Sequence, residues 1–204
     1  MKVLIITLQR KVERRLNAFY LASSLTDQGF EVEEFPATDF TSPDFRDIKI
    51  APAHEANCQM TAGELACAWS HIRAYQAILE SGEPAFIVED DAHLSAPLAD
   101  VDISEVPHFL SLSCYDSSDP NQELFETLEE GETDSQVLGL PHGTQCYYVT
   151  PEGAEALLGL LVPVKWPSDI ALSRASQKGV IVTQLIKEPL AVQHPVIESH
   201  IGQR

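Results

Sequence analysis

The first 35 residues change hydrophobic period twice, and that switch narrows the folds open to the chain more than any other feature. Val3 to Leu8 is a continuous apolar run rich in branched residues, the pattern of a strand buried on both faces of a parallel sheet. From Val12 the period becomes helical, with Val12, Leu16, Phe19 and Tyr20 on the apolar stripe and Glu13, Arg14 and Asn17 elsewhere. Gly29 supplies a left-handed stop, and Phe30 to Phe35 alternates as a second strand. Strand, helix and strand in this order make a βαβ unit.

The rest of the chain continues the alternation. Residues 36–60 carry three prolines and read as a long loop, a kind of segment that is often functional. Thr61 and Glu64 form a capping box, and Leu65, Ala68, Trp69, Ile72, Gln76 and Leu79 then recur at helical spacing until Gly82 and Pro84. Ala85 to Val88 is a short apolar strand that runs straight into Glu89-Asp90-Asp91. Phe109 to Ser113 and Cys146 to Val149 read as strands, separated by an acidic stretch, Asp116 to Asp134, without a basic residue. Thr150 caps a helix with Pro151 at its first position, its core face carrying Ala154, Leu157, Leu158 and Leu161. Pro167 and Ser168 open a further helix that closes at Gly179, and Val180 to Ile186 and Leu190 to Val192 are late strands. The expectation is one α/β domain over residues 1–204 with a mostly parallel sheet.

Charge excludes one large class of partners. Thirty-one acidic against thirteen basic residues give a net charge of −18, which repels phosphate backbones, so no nucleic acid is expected to bind. The opening apolar run is too short for a signal peptide, and no window approaches a transmembrane span. Cys58, Cys67, Cys114 and Cys146 form no C-x-x-C pair and read as free thiols of a reducing cytoplasm. Any membrane attachment is expected to be peripheral, at the inner face of the cytoplasmic membrane.

In open α/β sheets ligands bind beyond the carboxyl ends of the strands, where Glu89-Asp90-Asp91 falls. Strand alternation puts Glu89 and Asp91 on one side and Asp90 on the other. Paired carboxylates repel unless a proton or a cation lies between them, and hard oxygen ligands suit Mg²⁺ or Mn²⁺. A solvated acidic turn is the plain alternative. Arg10, Arg14 and Arg15 cluster just past the first strand, where an arginine can meet a diphosphate bidentately or simply start a solvated helix. Ser70 and His71 lie beside the apolar stripe of the capped helix. Asp169 sits in the first turn of a late helix, where the macrodipole favours its ionised form. A general base there would need the opposite push, from burial or neighbouring carboxylates.

Taken in order, these segments resemble glycosyltransferase family 25. The resemblance rests on the opening strand with Arg14-Arg15, on Phe35-Pro36-Ala37-Thr38-Asp39, and on Gly143 to Tyr148 with Gly153-Ala154. Its most specific part is Met60-Thr61-Ala62-Gly63-Glu64-Leu65-Ala66-Cys67-Ala68-Trp69-Ser70-His71, followed eighteen residues later by the acidic triplet. The resemblance implies a Rossmann-like GT-A type fold, with the donor half over about residues 1–115 and the acceptor half over 116–204. It also implies inverting transfer of a sugar, galactose by family preference, from a UDP-sugar to a glycan or lipid-linked saccharide in lipooligosaccharide synthesis. Mn²⁺ or Mg²⁺ would be held by Glu89 and Asp91 with His194 as a late ligand, and Asp169 would be the base beside catalytic Asp91. Thr7, Leu8, Arg10, Arg15, Ser70, His71, Glu89, Asp90 and Gln145 would contact the donor. The rival expectations are an idle fold serving as a binding scaffold and a metal-dependent phosphohydrolase.

Overall fold

The computed structural model describes residues 1–43, 45, 48–50, 60–113, 143–186 and 189–197. Cys58, Cys114 and the acidic stretch Asp116 to Asp134 lie outside the described residues, as does the whole span from 51 to 59. The expected βαβ unit is present: β1 (Lys2–Thr7), α1 (Val12–Asp27) and β2 (Glu31–Pro36), with the two strands parallel. α2 (Ala62–Ser81) then leads to β3 (Ala85–Glu89), also parallel to β1, and on to β4 (Ala92–Leu94) and β5 (Phe109–Ser111). β6 (Cys146–Val149), α3 (Pro151–Leu161), α4 (Ser168–Gln177), β7 (Thr183–Leu185) and β8 (Ala191–Gln193) complete the order.

The main sheet runs β2-β1-β3-β6-β5-β7. Only β6 opposes its neighbours, antiparallel to both β3 and β5, so the sheet is mostly parallel as the alternation of elements requires. β4 and β8 form a separate antiparallel ribbon. One face of the sheet is covered by α2, α3 and α4 over Leu4, Ile87, Tyr147 and Val149, and the other by α1 over Val3, Ile5, Phe86 and Val88. The strand assignment for β1 and β3 follows from that two-sided burial, which leaves no room for alternation.

The helix ends follow the local chemistry. Thr61 accepts from the Glu64 amide while the Glu64 carboxylate accepts from the Thr61 amide, closing the capping box at α2. Gly82 ends that helix at φ 69°, and Thr150 caps α3 through the Gly153 amide.

One helix is turned away from its apolar stripe and a second is turned in part. In α1 the inward face carries Arg14, Ala18, Leu21 and Leu25, while Val12, Leu16, Phe19 and Tyr20 are each more than half exposed. In α2 Ala68 and Ile72 of the stripe are buried as expected, with Leu65 and Trp69 packed against the core, but the buried face extends to Ser70, His71, Ala74, Tyr75 and Ile78, and Gln76 and Leu79 are exposed. The reason is the same in both. Arg14 and His71 have buried carboxylate partners at the end of β3, and satisfying a buried charge outweighs the few kcal/mol of one apolar stripe.

The close approach of α3 to the β5 edge can be tested at a single methyl. A Cβ at Gly153 would run into the backbone of His108, whereas one at Gly159, in the same helix, would meet nothing within 4 Å. Gly153→Ala is expected to lower the unfolding free energy by about 1–3 kcal/mol. Gly159→Ala should raise it by up to about 1 kcal/mol through helix propensity, both measured by urea denaturation.

Candidate active site

Four chain segments meet at the carboxyl ends of the parallel strands. The amide of Ala37, just past β2, donates to Thr7 O at 2.9 Å, Asp90 N donates to Ile6 O at 3.1 Å, and Glu89 N donates to Gln145 O at 2.9 Å. The carboxyl ends of β1, β2 and β3 and the start of β6 are thereby stitched together. Glu89, Asp90 and Asp91 lie there with 7%, 2% and 3% of their surface exposed, so their charges need partners.

Arg14 supplies the principal one. β3 ends at Glu89 and the next two residues form a turn, so strand alternation stops where the triplet begins. Asp90 and Asp91 therefore do not point to opposite sides: Arg14 Nη1 donates to Asp90 Oδ1 and Nη2 donates to Asp91 Oδ2 at 2.7 Å. The Leu8 amide donates to Asp90 Oδ2 at 2.6 Å, and Asn17 Nδ2 donates to the carbonyls of Asp90 and Ala92. The first turn of α1 thus fastens the acidic turn through side chain and backbone together.

Glu89 has its own partners. His71 Nε2 donates to Glu89 Oε1 at 3.1 Å, the Thr144 hydroxyl donates to the same oxygen, and His71 Nδ1 bonds the Tyr147 hydroxyl at 2.7 Å. Tyr147 in turn donates to Tyr75 at 3.0 Å, carrying a polar chain into the core. Burial opposes ionisation of Glu89, but the bonds and charge of His71 and the Thr144 bond outweigh it and hold its pKa below the usual range. Asp91 goes the other way: burial, reinforced by the charge of Glu89, pushes it up to about 7 despite Arg14. Its Oδ1 is buried with no hydrogen-bond partner among the described residues.

A cleft opens beside these groups, lined by Leu8, Arg10, Arg14, Thr38, Phe40, Cys67, Ser70, His71, Glu89 and Asp90. Six of the expected donor contacts are in that set: Leu8, Arg10, Ser70, His71, Glu89 and Asp90. Arg10 is held by Asp39 at 2.9 Å and stacks over Phe40 at 4.8 Å. Ser70 Oγ accepts from the Thr38 amide and donates to Ala66 O.

The others lie elsewhere. Thr7 is fully buried with its hydroxyl turned back on Ile5 O, and Arg15 is exposed outside the cleft lining. Gln145 reaches the site through its carbonyl, and its Oε1 has no partner among the described residues. His194 donates its amide to Asp91 O at 2.7 Å, but its ring packs edge-on to His93 rather than on a carboxylate. Asp169 opens α4, whose Ser168 Oγ lies 3.4 Å from Cys67 Sγ. Burial raises its pKa, and the charges of Glu89 and Glu64 add to that over the Ile170 amide bond. This is the push a general base needs, against the helix macrodipole.

Arg14, Cys67, Thr144 and Tyr147 are the site residues that sequence reasoning did not assign. Arg14 was visible as part of the basic cluster, but its off-stripe position in α1 read as solvent-facing. Thr144 and Tyr147 had no signal beyond ordinary strand packing.

A mostly parallel α/β sheet with buried carboxylates and a cleft at the strand ends defines an α/β fold with its candidate site beyond the carboxyl ends of the strands. The chain belongs to glycosyltransferase family 25 (LPS biosynthesis protein), whose sequence model matches residues 1–172. It is a glycosyltransferase of glycan synthesis by that membership. Among solved structures, it is similar to a glycosyltransferase involved in the glycosylation of the major capsid of PBCV-1, with a TM-score of 0.48 and 11% identity over 97% of this chain and 93% of that one. No curated protein matches the chain. Among the described residues no helix is long and apolar enough to cross a membrane.

Two measurements test the electrostatics. Arg14→Met leaves two buried carboxylates uncompensated and is expected to cost about 3–5 kcal/mol of unfolding free energy at pH 8. For pH, native Asp91 binds a proton up to about pH 7 whereas the unfolded chain releases it near 3.8. Between those values the native state holds more protons, so the Asp91 contribution makes stability fall as pH rises. Asp91→Asn should flatten that slope in denaturation curves taken from pH 4.5 to 7.5.

Proposed function

We propose that the chain transfers a sugar, galactose by family resemblance, from a UDP-sugar to a glycan hydroxyl with inversion at the anomeric carbon. The acceptor class is a glycan or lipid-linked saccharide of the cell surface, and the reaction runs on the cytoplasmic side with at most peripheral membrane contact. The reading assigns a GT-A type arrangement, with residues 1–115 for the donor and 116–204 for the acceptor. The observation that carries it is the meeting of Arg10, Ser70 and the acidic turn at one cleft.

The oxygen chemistry of the acidic turn suits a hard divalent cation, although its three carboxylates do not stand as one preformed group: Arg14 holds Asp90 and Asp91, and His71 and Thr144 hold Glu89. The donors at the turn are carboxylate oxygens, and Asp91 Oδ1 is buried without a partner, a position that a cation satisfies better than a proton. In the reading by family resemblance Glu89 and Asp91 would hold Mn²⁺ or Mg²⁺, while His194 reaches Asp91 through its amide and not its ring. When bound, such an ion stabilises the charge that develops on a departing nucleoside diphosphate. Arg10, pre-set by Asp39 and Phe40, adds a guanidinium for phosphate oxygens. Arg14 is a positioning residue: it fixes Asp90 and Asp91 without being needed on the ligand. Asp169 takes the acceptor hydroxyl proton, its raised pKa keeping it basic enough to accept one.

Product analysis tests the reading. UDP-galactose, UDP-glucose and UDP-N-acetylglucosamine are incubated with Mn²⁺ and saccharide acceptors, and products are followed by mass spectrometry. The expected result is a new glycoside of inverted anomeric configuration, with kcat lowered about 10²–10⁴-fold in Asp169→Asn and donor KM little changed. UDP-sugar cleavage at the same rate without acceptor would make the chain a hydrolase. No turnover and no nucleotide binding by folded protein would make it a scaffold.

A further inference from the structure

One cluster at the cleft adds a thiol, Cys67, that sugar transfer does not use. Cys67, His71 and Glu89 each present a ligand atom, and these atoms all lie within 4.8 Å of one another. Among the described residues this is the only such group of three or more histidine, cysteine and acidic side chains. Cys67 and His71 are four residues apart in α2, so they share a helix face, and Glu89 closes the set from the end of β3.

We propose that Cys67, His71 and Glu89 form a binding site for a thiophilic divalent cation, Zn²⁺ by ligand chemistry, distinct from the all-oxygen set that suits Mn²⁺ or Mg²⁺. One sulfur, one imidazole nitrogen and one carboxylate oxygen make a donor set in which the sulfur selects zinc over manganese or magnesium. The second shell is already built. Tyr147 holds His71 Nδ1 at 2.7 Å, which aims Nε2 at Glu89, and the Thr144 hydroxyl fixes the Glu89 carboxylate. Ser168 Oγ stands 3.4 Å from the Cys67 sulfur on the other side. Three protein ligands leave a fourth position, and all three residues line the cleft from which water or a ligand atom can fill it. On binding, the Cys67 thiol and His71 Nε2 each give up a proton to solvent, so that the thiolate and the imidazole nitrogen become ligands while Nδ1–H stays bonded to Tyr147.

The site stands on this geometry alone and does not depend on the sugar-transfer reading. If both hold, the two ions compete for Glu89, and Zn²⁺ inhibits a reaction that Mn²⁺ supports.

The test uses Co²⁺ as a spectroscopic substitute for Zn²⁺ on the metal-free full chain, without nucleotide. The expected result is a sulfur-to-cobalt charge-transfer band that Zn²⁺ abolishes, lost in Cys67→Ser and retained in Cys146→Ala, whose thiol is buried in the core at β6. Zn²⁺ should also slow alkylation of Cys67 in the wild-type chain, mapped by peptide mass spectrometry, which needs no variant to fold. A folded wild type with no sulfur-to-cobalt band, a band that survives Cys67→Ser, or a Cys67 alkylation rate indifferent to Zn²⁺ would overturn the proposal. None of these outcomes bears on UDP-sugar binding, so the two readings fail separately.

Discussion

A buried guanidinium shared by two carboxylates organises this molecule. Arg14 bonds Asp90 and Asp91 together, and all three are almost wholly removed from solvent. Such a cluster is costly to assemble, because desolvating charge offsets much of the Coulomb gain. It is more costly to break, and that asymmetry fixes the rotation of α1. The helix turns Arg14 inward and leaves Val12, Leu16, Phe19 and Tyr20 facing out. The acidic turn is then held against the ends of β1 and β3 by Leu8 and Asn17 as well as by the guanidinium.

The same logic operates on the opposite face. α2 turns His71 and Ser70 inward, where they bond Glu89 and the Thr38 amide. The His71–Tyr147–Tyr75 chain extends that polar network into a core where Tyr147 also stacks on Phe109. Each buried polar atom in that line has a partner, which the low local dielectric demands. The network thus ties the Glu89 carboxylate to the packing of α2 against β5 and β6, so the site's geometry is a property of the core and not of its loops.

Most of the architecture was legible in the chain. The period switch gave β1, α1 and β2, the capping box and Gly82 bounded α2, and Thr150-Pro151 located α3 to the residue. These signals are local, made by backbone sterics and hydrogen bonds within a few residues. The rotation of α1 and the inward turn of Ser70 and His71 in α2 were not legible, because apolar periodicity reports where hydrocarbon is and says nothing of which charges will find partners far along the chain. Arg14 and Asp90 are 76 residues apart. The alternation rule placed Asp90 and Asp91 on opposite sides because the strand's last residue, Glu89, cannot be read from composition alone. Ser70, His71, Arg10 and the acidic triplet were legible as site residues, whereas Thr144 and Tyr147 carry no pattern beyond a strand.

The central claim is that the acidic turn, fixed by Arg14, forms a metal-dependent nucleoside diphosphate site with the cleft beside it. Calorimetric titration of UDP into the chain tests it most directly, run with Mn²⁺, with EDTA, and in Glu89→Gln. The account predicts saturable binding with Mn²⁺ that weakens at least about 100-fold, near 2.7 kcal/mol, when the metal is removed or Glu89 is neutralised. Equal UDP affinity with and without metal, or no binding by a folded sample, would contradict it.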